Sequence, residues 1–244
     1  MRVAIISDIH SNLAALEAVL DDAEGRGAGE LWCLGDIVGY GPEPRECLAL
    51  VRSRARLCLS GNHDLGAIGA VSLADFNPYA AAANQWTSEV LEEEEKAYLG
   101  NLPSKLVWED VTLAHASPRE PVWEYVLSAP IARASFAHFE TRWCLVGHSH
   151  VPLFCLETDA GTACALYRLP EDSPLSLGRQ RMIINPGSVG QPRDGDSRAS
   201  YAVYDSEEDA LYHYRVPYDI EATQEKMRQA GLPDYLAQRL SHGH

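Results

Sequence analysis

The sequence contains no CxxC pair, no cluster of basic residues and no uninterrupted apolar stretch near the roughly 18 residues that cross a membrane as a helix. Without CxxC pairs, thiolate zinc sites and thioredoxin-type redox chemistry have no support, and we expect the six cysteines to be reduced thiols. Without basic clusters, a nucleic-acid polymer is not an expected partner. The opening MRVAIISDIH has too short an apolar run for a signal peptide, so we expect a cytoplasmic protein that does not bind membranes.

Acidic residues outnumber basic residues by 35 to 20 in the 244-residue chain, and the formal net charge is −15. Hydrophobic residues make up 46% of the sequence, which is the ordinary proportion of a globular protein. An acidic surface repels anions at long range. An anionic ligand must therefore be held by a positive charge that is local to its site.

Short apolar runs alternate with helical patterns over the first two thirds of the chain, and turn-linked strands follow. The β-α-β-α-β order of residues 3–59 predicts parallel strands joined by right-handed crossovers. Helical spacing predicts one long helix over 78–99 and another over 129–140. We expect a single α/β domain over residues 1–244, with a short helical tail from about residue 218. The predicted strands span residues 3–6, 31–34, 56–59, 105–108, 111–114, 143–146, 153–156, 163–169, 181–185, 200–204 and 210–215.

Side chains that can bind metals or transfer protons follow the ends of five predicted strands. Because the carboxyl ends of strands form the ligand crevice in an open α/β sheet, loops that are distant in sequence can converge there. Each motif taken singly also suits a helix cap, a turn or a satisfied core histidine. Their recurrence at five strand ends favours one shared site. The residues are Asp8, His10, Asp36, Asn62, His63, Asp64, His115, His148 and His150.

These carboxylates, imidazoles and one amide form a donor set that suits Mn, Fe, Co, Ni or Zn, of which we favour Mn. Asp8 and His10 share one loop, as do His148 and His150, so each pair can bind one ion. Asp36 has two oxygens and can bridge two ions. Two divalent ions would leave a net charge of about +1 after Asp8, Asp36 and a bridging hydroxide, which can hold a phosphate on an otherwise acidic protein.

The motifs Asp8-Ile9-His10, Gly35-Asp36, Gly61-Asn62-His63-Asp64, His115 and Gly147-His148-Ser149-His150, in this order, resemble the signature of the calcineurin-like metallophosphoesterases. Two further segments, GYGP at 39–42 and NPGSVGQPRD at 185–194, resemble small stand-alone bacterial members of that superfamily. The resemblance implies an α/β fold: a four-layer α-β-β-α sandwich of two mixed sheets flanked by helices. Periodicity alone does not predict the four layers.

The resemblance also implies roles for these residues. Asn62 and His63 would contact the substrate phosphate, and His63, oriented by Asp64, would protonate the leaving oxygen. A hydroxide that bridges two metal ions would attack phosphorus in line, without a covalent enzyme intermediate. The first metal would be held by Asp8, His10, Asp36 and His150, and the second by Asp36, Asn62, His115 and His148.

The expected activity is hydrolysis of a small phosphate ester, with a phosphodiester favoured over a phosphomonoester. The alternative is a non-catalytic scaffold or binding module on the same fold, but such scaffolds are expected to lose the catalytic histidine, whereas His63 is present. Arg193 either reaches the substrate phosphate or forms an ion pair with Asp194, and Asn185 either supports the site or ends a strand. The sequence assigns neither an oligomeric state nor a role to loops 65–80 and 117–130.

Overall fold

The computed structural model describes residues 1–158, 163–171 and 173–244, and within these ranges it contains twelve strands and eight α-helices. The strands are β1 (Arg2–Ile6), β2 (Glu30–Cys33), β3 (Ala55–Cys58), β4 (Lys105–Trp108), β5 (Val111–Ala114), β6 (Trp143–Val146), β7 (Leu153–Thr158), β8 (Ala163–Arg168), β9 (Leu175–Ser176), β10 (Met182–Asn185), β11 (Ala199–Asp205) and β12 (Ala210–Val216). The helices are α1 (Leu13–Gly25), α2 (Pro44–Arg54), α3 (Asn62–Ala67), α4 (Pro78–Val90), α5 (Glu93–Asn101), α6 (Ala129–Ser135), α7 (Ile220–Gln229) and α8 (Asp234–Leu240).

The strands form two six-stranded mixed sheets. The first sheet has the order β3-β2-β1-β11-β12-β9, and the second has the order β4-β5-β6-β10-β7-β8. In the first sheet β1, β2 and β3 are parallel, and in the second β5, β6 and β10 are parallel. The expected parallel β-α-β-α-β start of the chain is therefore confirmed.

The core lies between the two sheets and beneath the helices on their outer faces. In β1, Val3 and Ile5 pack toward the second sheet, whereas Ala4 and Ile6 pack with α1 and α2, as the two-residue period of a strand requires. Helix α6 covers the outer face of the second sheet, where Phe136, which follows it, packs with the buried β6 and β10 residues. The expected four-layer sandwich is confirmed.

Two of the predicted helices are shorter than expected. The segment 78–99 is not one helix, because Leu91 has an extended backbone and Glu92 begins a new helix, with its N–H donating to Glu95 Oε2 (2.8 Å). This capping box stabilises the start of α5, so α4 does not continue through it. The helix predicted over 129–140 leaves the α conformation after Ser135 and continues as a short 3-10 turn over Phe136–His138.

Helices α7 and α8 pack against Tyr40 and α4 through an apolar cluster that includes Met227, Leu236 and Leu240. These two helices lie in the segment where a helical tail is predicted, and they adjoin the loop that follows β2. Among the described residues, no helix combines the length and apolar character needed to cross a membrane. All six cysteines lie in the described ranges and are free thiols.

Candidate metal centre

The loops that follow β1, β2, β3, β5 and β6 meet at one edge of the sandwich. Backbone hydrogen bonds tie them together: the Asp8 N–H donates to the Gly35 carbonyl (3.0 Å), and the Gly147 N–H donates to the His115 carbonyl (2.7 Å). A bond between the sheets adds to these, because the His148 N–H donates to Asp8 Oδ2 (3.0 Å). The strand-end positions predicted from the sequence are therefore brought to one place.

The backbone of this edge is strained. Asp8, His10, Asp36, His148 and His150 all adopt left-handed conformations, with φ between 50° and 62°. Such conformations cost a non-glycine residue on the order of 1–3 kcal/mol and occur most often at functional sites. These left-handed conformations direct the side chains of each loop into the same crevice.

Glycines at 61 and 147 allow the loops to approach closely. A Cβ on Gly61 would collide with the Asp36 carboxylate, and a Cβ on Gly147 would collide with the Ser7 hydroxyl. These glycines belong to the sequence motifs because only a residue without a side chain leaves room for the acids beside them.

Asp8, His10 and His150 form the first group of side chains. His10 Nε2 lies 3.1 Å from His150 Nε2, and His150 Nε2 lies 3.4 Å from Asp8 Oδ1. All three side chains are buried. Asp36 adjoins this group, with its Oδ2 at 3.6 Å from His10 Nε2.

Asp36, Asn62, His115 and His148 form the second group. His115 Nε2 lies 3.4 Å from Asp36 Oδ2 and 3.2 Å from Asn62 Oδ1. His148 offers a ring nitrogen within 4.8 Å of the ligand atoms of Asp36 and His115. Asp36 is therefore common to both groups, and within the described residues its buried Oδ2 accepts no hydrogen bond.

Each of the four histidines in these groups directs its other ring nitrogen at a backbone carbonyl. Since a carbonyl only accepts, that nitrogen carries a ring proton, and the nitrogen facing the crevice is the one that can bind a cation once it is deprotonated. The contacts are His10 Nδ1 to Val38 O (3.3 Å), His115 Nδ1 to Leu34 O (2.9 Å), His148 Nε2 to Trp123 O (3.1 Å) and His150 Nδ1 to Gln191 O (2.6 Å).

This arrangement fits metal cations. His10 Nε2 and His150 Nε2 face each other as two lone pairs, which repel unless a cation lies between them. The donor set of imidazole nitrogens, carboxylates and an amide oxygen suits borderline divalent ions. The two groups joined through Asp36 therefore fit the dinuclear site predicted from the sequence.

The pKa values of these side chains follow from burial and neighbouring charge. Burial raises the pKa of Asp8 to about 7 and lowers the pKa values of His10 and His150 well below the ordinary histidine value. Burial also acts on Asp36, but the charges of His115, His63 and His10 outweigh it and hold the pKa of Asp36 below its usual range. The charge of Asp36 outweighs burial at His115 and raises the pKa of that imidazole to about 9.

His63 lies beside both groups, but Asp64 does not orient it. The Asp64 carboxylate accepts hydrogen bonds from the N–H groups of Val38 (3.0 Å) and Gly61 (2.9 Å), because it lies in the first turn of α3 and caps that helix. The ring of His63 donates instead from Nδ1 to Asn84 Oδ1 (3.2 Å). The expected contact between Asp64 and the His63 ring was therefore wrong.

Arg193 and Asn185 have distinct positions. Arg193 Nη2 donates to Gln191 Oε1 (3.1 Å) and to the Tyr40 hydroxyl (3.4 Å), whereas Asp194 pairs with Arg215. Arg193 is thus held at the site rather than in the alternative ion pair with Asp194. Asn185 Nδ2 donates to the Gly147 carbonyl (2.7 Å) and to Ser149 Oγ (3.0 Å), so it supports the loop after β6.

Sequence reasoning missed Asn84, the Trp123 carbonyl and the Gln191 carbonyl. A backbone carbonyl leaves no signal in residue identity, and Asn84 lies within an Ala-rich helix. The Trp123 carbonyl also gives loop 117–130 a function, because it fixes the orientation of His148. In loop 65–80, Phe76 packs edge-on against His63, with the ring centres 5.1 Å apart.

Comparisons with known proteins show the family and the fold that this chain resembles. Residues 1–209 match the calcineurin-like phosphoesterase superfamily domain. The uncharacterized protein MJ0912 of Methanocaldococcus jannaschii is 40% identical over an alignment of 247 positions that covers 99% of this chain and 98% of that protein. The crystal structure of a metallophosphoesterase from Sphaerobacter thermophilus is 49% identical, with a TM-score of 0.92 over 100% of this chain and 99% of that one. The hypothetical protein PH1004 of Pyrococcus horikoshii shares the fold at 22% identity, with a TM-score of 0.78 over 100% and 98% of the two chains.

Proposed function

The chain belongs to the calcineurin-like phosphoesterase superfamily, and from this premise we propose that it is a phosphohydrolase that uses two divalent metal ions to cleave a small phosphate ester. The observation that carries the proposal is the set of four buried imidazoles, each of which directs one ring nitrogen at a backbone carbonyl and the other into a crevice that holds buried carboxylates. A scaffold has no need for such a donor set.

The two groups of side chains support a ligand set for each of the proposed ions. Asp36 is shared because its Oδ2 is within 3.6 Å of a histidine nitrogen in each group. When bound, two divalent ions lower the pKa of a water molecule and offset the charge of phosphoryl oxygens, as in-line displacement at phosphorus requires. The proposed ligands are Asp8, His10, Asp36 and His150 for one ion and Asp36, Asn62, His115 and His148 for the other.

Asn62, His63 and Arg193 are the proposed contacts of the substrate phosphate. Arg193 is the cationic one, and its guanidinium donates to the Tyr40 hydroxyl and to Gln191 Oε1. His63, when protonated at Nε2, donates to the leaving oxygen. We propose a phosphodiester as the preferred substrate, because a diester carries one negative charge and a monoester carries up to two, and the protein as a whole is acidic.

Metal-stripped protein tests this function. We expect it to hydrolyse bis(4-nitrophenyl) phosphate only after Mn or a similar ion is restored, with two ions bound per chain, and to hydrolyse 4-nitrophenyl phosphate more slowly. His63→Ala should keep both ions but lose about 100-fold or more of its turnover on a diester with an alkyl leaving group. Full turnover without any metal, or wild-type turnover by His63→Ala, would contradict the proposal.

A further inference from the structure

Asn84 is a buried polar residue that the roles above do not use. It lies in α4, its side chain is completely buried, and its Oδ1 accepts the hydrogen bond from His63 Nδ1 at 3.2 Å. Among the described residues this is the one hydrogen bond to the imidazole ring of His63. The buried face of this helix, which also includes Ala80, Ala83 and Thr87, thus supplies one amide to the imidazole of His63.

Gly39 makes this contact possible. Its backbone has φ +91°, and a Cβ at this position would lie 2.6 Å from His63 Nδ1 and 3.0 Å from Asn84 Oδ1. Any side chain at residue 39 would therefore enter the space where the imidazole and the amide meet. Asp64 does not make this contact, because its two oxygens are directed at the backbone N–H groups of Val38 and Gly61.

Packing alone does not determine which nitrogen of the His63 ring carries the proton. The His63 ring lies against Tyr40 (4.3 Å between ring centres), His10 (4.8 Å) and Phe76 (5.1 Å), and these contacts restrict the plane of the imidazole. None of them distinguishes the two nitrogens. An acceptor on Nδ1 does, because it keeps a proton on that nitrogen and leaves Nε2 to face the crevice.

We propose that Asn84 is a positioning residue: its amide oxygen holds His63 in the Nδ1–H tautomer and aims Nε2 at the leaving oxygen of the substrate. The part that concerns the leaving oxygen rests on the proposed function. The same oxygen also accepts from the ring when Nε2 is protonated, so it supports the form that donates a proton. Asn84 itself touches no reacting atom.

Leaving-group dependence separates this role from a merely structural one. In Asn84→Ala we expect kcat for a diester with an alkyl alcohol leaving group to fall about 10- to 100-fold with little change in KM. A diester of an acidic dinitrophenol needs no proton at its leaving oxygen, so its kcat should change less than about 3-fold. Asn84→Asp, which keeps an acceptor oxygen, should restore turnover of the alkyl ester. Equal losses on both esters in Asn84→Ala would show a structural role and overturn the proposal.

Nitrogen NMR of histidine-labelled protein tests the tautomer without any turnover. We expect His63, assigned by comparison with His63→Gln, to be protonated at Nδ1 in the wild type and in Asn84→Asp, and to lose this preference in Asn84→Ala. Thr87→Val is the matched control, because Thr87 is equally buried one turn later in α4 and, among the residues that the structure describes, its hydroxyl bonds only to the Ala83 carbonyl (2.9 Å). An unchanged Nδ1–H tautomer in Asn84→Ala would refute the role of Asn84, whereas a wild type inactive on both esters would refute the proposed function alone.

Discussion

The two sheets contribute different kinds of side chain to the candidate site. The first sheet supplies both carboxylates, Asp8 after β1 and Asp36 after β2. The second sheet supplies only imidazoles: His115 follows β5, and His148 and His150 follow β6. Negative charge thus comes from one side of the crevice, and the other side adds ring nitrogens.

Neither sheet holds a complete set of ligands for either proposed ion. The halves are joined by bonds that cross between the sheets, such as the one from the His148 N–H to the Asp8 carboxylate and the one from His115 Nδ1 to the Leu34 carbonyl (2.9 Å). The difference shows that the site is a product of sheet packing rather than of any single loop. It also predicts that substitutions on the carboxylate side and on the imidazole side change metal binding in different ways.

The largest effect is expected at Asp36, the acid common to both groups. Asp36→Asn removes the negative charge but keeps the side-chain size, so we expect the protein to lose both ions and at least about 100-fold of its metal affinity. His150→Gln, on the imidazole side, should lose one ion and keep the other. Metal content per chain after dialysis measures both, and Asp110→Asn, an exposed acid in the turn between β4 and β5, is the control. Loss of a single ion from Asp36→Asn would show that this acid is not shared.

A smaller effect is expected for a histidine of the first sheet that lies outside the site. His213 in β12 is buried, and burial together with the charges of Arg215 and Arg198 lowers its pKa to about 4. The unfolded chain, with a pKa near 6.5, binds this proton more readily, so His213 costs no stability above pH 6.5. As the pH falls from 6.5 to 4, uptake of this proton by the unfolded chain progressively lowers the free energy of unfolding. The total decrease amounts to about 3 kcal/mol.

Urea unfolding of metal-free protein at several pH values measures this dependence. The difference in the free energy of unfolding between wild type and His213→Gln should be constant above pH 6.5 and should shift in favour of the variant below it. Gln can still bond to the Ser200 hydroxyl, which lies 2.8 Å from His213 Nε2. A difference that stays constant down to pH 4 would rule out the protonation of His213 as a source of acid instability.

The strand-end pattern predicted the parallel start of the fold and the edge at which the candidate site residues lie. Asp8, Asp36 and His115 could be placed because each follows an apolar run, and the geometry of parallel strands carries such positions to one edge. The alternation of runs could not predict that two sheets stack, and only the resemblance supplied the four layers. The break in the helix predicted over 78–99 was missed because the Glu92 and Glu95 capping box lies inside a run of acids that equally suits a continuous helix.

The part of the site that the sequence did not predict consists of contacts that cannot be read from the order of residues. Asn84 reaches His63 only because α4 packs beside the β2 loop and Gly39 leaves a gap there. Asp64 follows His63 directly in sequence, yet α3 turns its carboxylate toward the backbone. Adjacency in sequence suggested the wrong partner because the direction of a side chain depends on a short helix that the sequence did not reveal.

The smallest effect should arise on the imidazole side, where His148 depends on loop 117–130. The Trp123 carbonyl accepts from His148 Nε2, and the neighbouring Glu124 holds the loop by accepting from Ser117 Oγ (2.7 Å) and Arg119 Nε (3.0 Å). Glu124→Gln should make the position of this carbonyl less fixed and lower the affinity for one of the two ions by about 10-fold. Calorimetric titration of metal into stripped protein measures this affinity.

Glu157→Gln is the matched control for that variant, because Glu157 is similarly buried and pairs with Arg181 (3.0 Å) in the second sheet, away from the crevice. If the two variants bind both ions with equal affinity, loop 117–130 does not hold His148 and the imidazole side is fixed by its strands alone. If only Glu124→Gln has a lower metal affinity, and for one ion only, different contacts fix the ligands on the two sides of the crevice. The carboxylates are then held by hydrogen bonds between the loops at the strand ends, and His148 by a carbonyl from outside both sheets.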